Sequence, residues 1–286
     1  MNVILNFTPT GMIPTKEMTP HVPITPTEII ENVHEAVEIG ITTVHLHARD
    51  KQNGKPTYQG EIYSEIIAGI RQFASDLVIC VSLSGRDFHE FEKRVEPLAL
   101  QGNIKPDMGS LTLSSLNFNK VTSTNSPKMI QALAQEMKYR GILPELEVFD
   151  VGMINYAKYL ERKGMLQPPY YFNFILGNIA CAQADLLHMG IMLNDLPPRS
   201  FWSAGGVGDF QLKVNSVAIA SGGGVRVGLE DNIWYDFNRT KLTRNADLIH
   251  RIHTLAQANE RAIMSSAEFR KLLNLKVGDG HYGRIS

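Results

Sequence analysis

The sequence predicts an α/β protein, a (β/α)8 TIM barrel forming one domain over residues 1–286. Two observations carry that expectation. Short apolar runs bounded by Gly, Pro and polar residues alternate eight times with longer stretches of helical periodicity, which implies a parallel sheet with right-handed crossovers. The chain length of 286 residues suits eight such units closed into a barrel. An open doubly wound sheet is the competing arrangement. No Gly-x-Gly-x-x-Gly follows the first strand, which weakens its dinucleotide-binding form.

The elements follow in order. Residues 3–7 are an apolar strand ending in Thr8-Pro9-Thr10-Gly11, a turn. Residues 12–27 are proline-rich and aperiodic, a long ordered loop of the kind that often carries function. From Thr27-Glu28, the residues Ile29, Ile30, Val33, Ala36 and Val37 recur at helical spacing until Gly40. Thr43, Val44 and Leu46 mark the second strand. A helix over 62–73 places Ile66, Ile67, Ile70 and Phe73 on one side, and residues 77–81 form the third strand, ending in Ser82-Leu83-Ser84-Gly85-Arg86. Helix 91–100 and strand 108–113 follow. Ser126-Pro127 starts a helix through 139, with proline at its first position and Gly141 ending it. Strand 143–149 holds Glu145 and Glu147. Then come helix 154–162, the aromatic strand 170–175, helix 182–193, strand 201–204, helix 210–220 and strand 225–227. Helices over 245–258 and 266–273 close the pattern. Apart from the proline-rich loop, the connections read as short.

Composition narrows the partners. Hydrophobic residues make up 43% and charged residues 20%, with a formal net charge of -1, ordinary for a globular protein. No run of Lys and Arg is present, which argues against nucleic acid or an anionic membrane as the main partner. Cys80 and Cys181 form neither a disulfide framework nor a Cys-x-x-Cys pair, and Cys80 reads as an inert buried thiol. The first ten residues have neither a basic nor a long apolar segment, so the expected location is cytoplasmic.

The chemistry centres on Thr43-Val44-His45-Leu46-His47-Ala48-Arg49-Asp50. Side chains on a strand alternate, so His45 and His47 share a face. Two imidazoles there can grip one divalent ion, or they can be structural histidines bonded to backbone. A catalytic zinc needs a third ligand and an open position. Glu230, just past the eighth strand, is the candidate, because strands two and eight flank strand one. A barrel builds its active site at the carboxyl ends of its strands, where Ser82, Ser110, Glu147, Arg226, Glu230 and Asp231 also fall. Glu145 and Glu147 in a buried strand need partners. Arg226 between valines needs a carboxylate such as Glu147 or Asp231. Gly222-Gly223-Gly224 is a phosphate-cradling turn or a plain tight one.

His45-Leu46-His47-Ala48-Arg49-Asp50, Pro144-Glu145-Leu146-Glu147-Val148-Phe149-Asp150 and Arg226-Val227-Gly228-Leu229-Glu230-Asp231-Asn232, with Thr10-Gly11 and Ile24-Thr25-Pro26, give the chain a resemblance. It resembles the β-keto acid cleavage enzymes, whose founding activity is 3-keto-5-aminohexanoate cleavage. The resemblance implies a zinc-holding barrel, with His45, His47 and Glu230 on the metal. It also implies Asp231, Arg226 and Glu147 as the acid–base group, Ser82 and Ser110 contacting substrate, and a homotetramer. The implied reaction is acyl transfer between a β-keto acid and acetyl-CoA, giving acetoacetate and a new acyl-CoA. The sequence departs from the family at Leu83-Ser84-Gly85-Arg86, where members often show Ser-Thr-Gly-Gly after the strand. Ser110 stands where the founding member has Thr, and Ile13 where it has an acid that holds the substrate amine. With Ile13 lining the substrate, the expected order of tails is uncharged, then anionic, then cationic, since isoleucine offers a cation no partner; Lys16 and Arg86 could tilt the pocket towards neutral or anionic tails unless they are solvated or bind CoA phosphate, and Glu17 could serve as a substitute acid if the loop bends. Loop candidates for CoA phosphates are Arg49, Arg86, Arg199, Arg239 and Lys241. A barrel metallohydrolase is the alternative enzyme; it would need further His ligands, and His188, His250 and His253 lie on expected helices. A non-catalytic ligand-binding barrel is the third reading.

Overall fold

The computed structural model describes residues 1–285. Among them, eight parallel strands close into a barrel: β1 (Leu5–Phe7), β2 (Thr43–Leu46), β3 (Val78–Val81), β4 (Met108–Thr112), β5 (Leu143–Val148), β6 (Tyr170–Leu176), β7 (Ser200–Gly206) and β8 (Gly224–Val227). Each strand bonds to the next in chain order. β8 returns to β1 with Leu5 opposite Val225 and Phe7 opposite Val227. The intervening helices are α1 (Pro26–Ile39), α2 (Gly60–Arg71), α3 (Phe91–Val95), α4 (Pro127–Arg140), α5 (Val151–Arg162), α6 (Leu186–Asn194), α7 (Gln211–Ala220) and α8 (Asn245–Ala258), followed by α9 (Ser266–Leu272). No helix among the described residues is long and apolar enough to cross a membrane.

Two apolar layers hold the barrel. Outward strand residues such as Leu5, Val44, Ile79 and Phe172 pack on Ile29, Val33, Ile66 and Leu133 of the helices. Inside, at the amino-terminal end, Ile4, Val78, Met108, Leu143 and Tyr171 meet Phe269 of α9 and Leu273 just after it, which plug the opening. Burying a ring such as Phe269 is worth about 1.5–3 kcal/mol.

Several elements have bounds other than the sequence pattern gives, α5 starting at Val151 and not 154 and α2 spanning Gly60–Arg71 and not 62–73; three others show the local reason. α1 begins two residues earlier, because Thr25 caps it, accepting from Glu28 N at 3.2 Å while the Glu28 carboxylate accepts from Thr25 N at 3.0 Å. The helix expected over 91–100 stops at Val95 and tightens into a 3-10 turn at Glu96–Ala99; Pro97 has no N–H to continue the α ladder. α6 starts at Leu186, not 182. Asp185 caps it through His188 N, and Ala182 N is spent on Phe149 O.

Connections at the two ends differ in length. Residues 40–42, 141–142 and 221–223 suffice at the amino-terminal end, whereas residues 8–25, 113–126 and 228–244 run over the carboxyl end. The expectation of short loops holds only for the first set. The long loops roof the site.

Candidate active site

Carboxyl-terminal strand ends bring the expected residues together. His45 and His47 point into the barrel from the end of β2, both buried. His45 Nδ1 lies 2.6 Å from Glu145 Oε2. That contact places a proton on Nδ1, so that the neutral form of the ring presents Nε2 as a lone-pair donor. His45 Nε2 faces His47 Nε2 at 3.3 Å, and His47 Nε2 is 3.1 Å from Glu230 Oε1. One ligand atom from each of His45, His47 and Glu230 lies within 4.8 Å of the others. Glu230 Oε2 is buried without a hydrogen-bond partner. Convergent imidazole nitrogens and an orphaned carboxylate oxygen are the donor set a divalent ion takes, with room for an open position. Burial works against charge on His45, but Glu145 and then Glu230 outweigh it and push the ring up to about 9. Burial wins at His47 and lowers it.

His45, Cys80 and Glu145 also lie close together. That trio would use the Nδ1 already bonded to Glu145. Burial pushes the Cys80 thiol far up, so it stays neutral and donates to Glu145 Oε2 at 3.4 Å. The trio is therefore a hydrogen-bonded support under His45.

Glu230 is held by the seam between first and last strands. Gly11 has φ +65°, and a Cβ there would come within 2.4 Å of Glu230 Cγ. Only glycine lets the loop after β1 press this close while adopting a left-handed backbone.

Arg226 of β8 braces the carboxylates. Its Nε is 2.8 Å from Asp231 Oδ2 and its Nη2 is 2.7 Å from Glu230 Oε1. Nη1 lies 3.9 Å from Glu147 Oε1 and has no hydrogen-bond partner. Glu147 instead accepts from the Thr112 hydroxyl at 2.6 Å. Burial raises the Glu147 carboxyl above its ordinary range. At Asp231 burial, helped by Glu230, outweighs the pull of Arg226, so this carboxyl is also raised. At Glu230 the balance reverses: Arg226 and His47 overcome burial and hold it well below the usual range. The three neighbouring acids are thus tuned apart, the pattern expected where one must take a proton and another must stay charged.

A cavity of about 390 Å³ opens above these groups. His47, Glu147, Arg226, Glu230 and Asp231 line its floor, with Ser82, Ser84 and Thr112 supplying hydroxyls. A larger groove of about 770 Å³ runs beside α8, but its histidine, His253, is spent on Gly40 O at 2.8 Å, and no chemistry converges there.

The remaining candidates divide. Ser82 lines the cavity, and Ile13, 52% exposed, sits on its rim. Ser110 is turned elsewhere: its hydroxyl accepts from Leu83 N at 3.0 Å, and Thr112, two residues on, offers its hydroxyl to the cavity. Arg49 is buried and bonds the carbonyls of Gly11, Pro14 and Gly54, which removes it as a phosphate contact. Arg199 precedes β7 at the opposite end. Arg239 is paired with Asp209, and Lys241 lies over Tyr235. The glycines at 222–224 make the plain turn: a Cβ on Gly223 would strike the Trp202 ring. Sequence reasoning gave no role to Glu145, Asn6 or Thr112. Asn6 donates to Glu145 Oε1 at 2.6 Å from inside an apolar strand, and that mid-strand polarity was the available signal.

A family model described as beta-keto acid cleavage enzyme matches residues 2–275. The chain belongs to this family. Among similar members is a 3-keto-5-aminohexanoate cleavage enzyme from Fusobacterium nucleatum, 34% identical over 92% of this chain and 94% of the relative. Another is a 3-oxoadipate:acetyl-CoA acetyltransferase from Cupriavidus necator, 32% identical over 95% and 94%. Among solved structures, apo ObcA superposes with a TM-score of 0.79 at 20% identity, covering 89% of this chain. The chain spans 65% of that neighbour's length. At that identity the likeness bears on the barrel fold that these cleavage enzymes and ObcA share.

Proposed function

We propose that residues 1–286, as one barrel domain, catalyse acyl exchange between a β-keto acid and acetyl-CoA, releasing acetoacetate and a new acyl-CoA. One observation carries the reading: His47 and Glu230 of a His–His–Glu donor group share the floor of a single cavity with an arginine-braced carboxylate, Asp231. Family membership supplies the reaction class, and the acetyl-CoA transferase activities for which relatives are named support acetyl-CoA as the co-substrate.

His45, His47 and Glu230 would hold a zinc ion, which supplies Lewis acidity toward a keto oxygen when bound. The protein's own groups do the rest. Asp231 takes the proton from the carbon between carboxylate and ketone; its raised carboxyl makes it a stronger base than a surface aspartate. Arg226 fixes Asp231 through Nε and Nη2 and offers Nη1 to the charge that develops on substrate oxygen. Glu147, hydrogen-bonded by Thr112, faces Arg226 from the other side. Ser82 supplies a hydroxyl to the substrate carboxylate, with Thr112 beside it; Ser110 acts by fixing Leu83. The substrate carbanion attacks the thioester carbonyl and expels the CoA thiolate. The thiolate then attacks the original ketone, and the carbon–carbon bond breaks to give acyl-CoA. The electron pair returns to the acetoacetate carbon, which takes back the proton from Asp231.

A cytoplasmic location and a homotetramer belong to the same reading, the tetramer from the family resemblance; cell fractionation and sedimentation test them. The decisive assay is dependence on the CoA ester. Keto acid should disappear only with acetyl-CoA present, one acetoacetate forming per acyl-CoA, in protein carrying about one zinc per three-ligand site. Turnover without CoA ester would make the protein a metallohydrolase, and no turnover with a broad keto acid panel would make it a binding barrel.

A further inference from the structure

We propose that Arg86 is the residue that selects the tail of the keto acid, and that it selects a carboxylate. The inference rests on the reaction class proposed above and adds the substrate's far end.

Arg86 lines the same cavity as the acid–base group. Its guanidinium stacks on Phe118, Cζ lying 3.9 Å from the ring centroid. Its Nε is buried and has no hydrogen-bond partner. Among the described residues, no carboxylate oxygen lies within ion-pairing distance of it, unlike Arg226, which has three acids around it. A partly desolvated guanidinium with unspent donors is costly unless an anion completes it.

The placement is rigid. Arg94 is buried beneath the loop that carries Arg86 and bonds Leu83 O at 2.8 Å and Asn125 Oδ1 at 2.8 Å. Thr124 N donates to Gly85 O at 3.0 Å. Phe118 sits at the tip of the Leu116–Asn117 and Thr122–Ser123 hairpin, closed by Phe118 N to Val121 O at 2.8 Å. Two tied loops therefore hold the guanidinium plane against the ring, with its edge free. An arginine edge matches a carboxylate bidentately.

The position separates this anion from the reacting end. Asp231, Glu147 and Glu230 all lie beyond ion-pairing distance of Arg86, yet each exerts a field on it. The cavity floor is rich in carboxylates, so a second acid group on the substrate is repelled there and attracted at Arg86. Apolar walls from Phe149, Ile175 and Val207 can cover the chain between the two ends. This moves the anionic tail ahead of the uncharged tail that Ile13 alone favours, since Ile13 is on the rim.

The test compares two β-keto acids of equal chain length, one ending in carboxylate and one in methyl, at fixed acetyl-CoA. The wild type should favour the carboxylate tail, and in Arg86→Gln the ratio of the two kcat/KM values should fall about 10–100-fold, mostly through KM, as expected for a charge-assisted bond. Arg86→Lys should recover part of it. A ratio unchanged in Arg86→Gln overturns the proposal, whether because both substrates lose equally or because only the KM for acetyl-CoA rises; the first outcome would place Arg86 on the shared carboxylate and the second on a CoA phosphate. Calorimetry with a saturated dicarboxylate and the matching monocarboxylate, without acetyl-CoA, keeps the inference separate from the reaction. Tighter dicarboxylate binding that Arg86→Gln abolishes supports it even if no keto acid turns over; equal binding of the two overturns it.

Discussion

Each end of the barrel buries a cluster of charges, and the two are built differently. At the amino-terminal end Asp107 accepts from Arg71 Nη2 at 3.0 Å, from Arg270 at 2.9 and 2.8 Å, from Ile79 N at 3.2 Å and from Gly283 N at 3.0 Å. Arg71 also lies 3.8 Å over the Tyr282 ring. Only Arg71 Nε goes without a partner. At the carboxyl-terminal end Arg226 Nη1 and Glu230 Oε2 are unspent, Arg86 Nε nearby is unspent, and two imidazole nitrogens face each other. Burial of charge is common to both. Saturation is what separates them: the first cluster ties α2, β4, α9 and the segment through Gly283 together, while the second waits for something to bind. A buried ion network marks a site only where its valence is left over.

Substitutions at the two ends should therefore fail in opposite ways. The largest effect is expected at Asp231. Asp231→Asn should lower turnover about 10²–10⁴-fold with a melting temperature equal to or above wild type, since one of three crowded acids is neutralised. A variant that keeps full kcat would place the base elsewhere. Next is Asp107→Asn, which leaves two buried guanidiniums short of a counter-charge. It should cost about 3–5 kcal/mol in urea unfolding, while the folded fraction keeps normal metal content and kcat. Loss of activity ahead of stability would erase the distinction drawn between the clusters. Glu145→Gln is smaller: it keeps the shape but weakens the grip on His45 Nδ1, and metal affinity should fall about 10–100-fold by competition with a chelator.

The smallest effect is a pH dependence confined to metal-free protein. Glu145 raises His45 to about 9 from about 6.5 when unfolded. A raised pKa contributes stability that is whole below the unfolded value and is lost as pH rises through the folded one. Chelator-treated protein should thus melt progressively lower between about pH 6.5 and 9; zinc-loaded protein, whose imidazole is neutral, should not. A flat metal-free profile would mean that His45 takes up no second proton.

The carboxyl-terminal cluster was largely legible in the sequence because strand periodicity is rigid. His45 and His47 had to share a face, with Arg226 in the eighth strand and Glu230 and Asp231 just past it, within reach of the second. Helix starts were less legible where the cap did not coincide with the edge of the apolar pattern: Thr25 lies upstream of it and Asp185 inside it. The split at Pro97 had a local signal that helical spacing hid. The amino-terminal cluster left no trace, because Arg71, Asp107 and Arg270 come from three separated elements and are joined only by barrel closure. Arg86 was half legible: its loop position made it a candidate for an anionic tail or a CoA phosphate, but a loop arginine in sequence is silent about the ring it will lie on.

The seam at Gly11 and Glu230 has a consequence for how the site comes into being. His45 and His47 belong to the first quarter of the chain and Glu230 to the last, and a ribosome delivers them in that order. Until β8 has been synthesised and has closed against β1, the two imidazoles form a half-site open to whatever ion is at hand, with nothing to reject a poor fit. Pressing Glu230 into place against Gly11 is the step that would complete the proposed ligand set, so under that reading discrimination among metals falls to the final moments of folding.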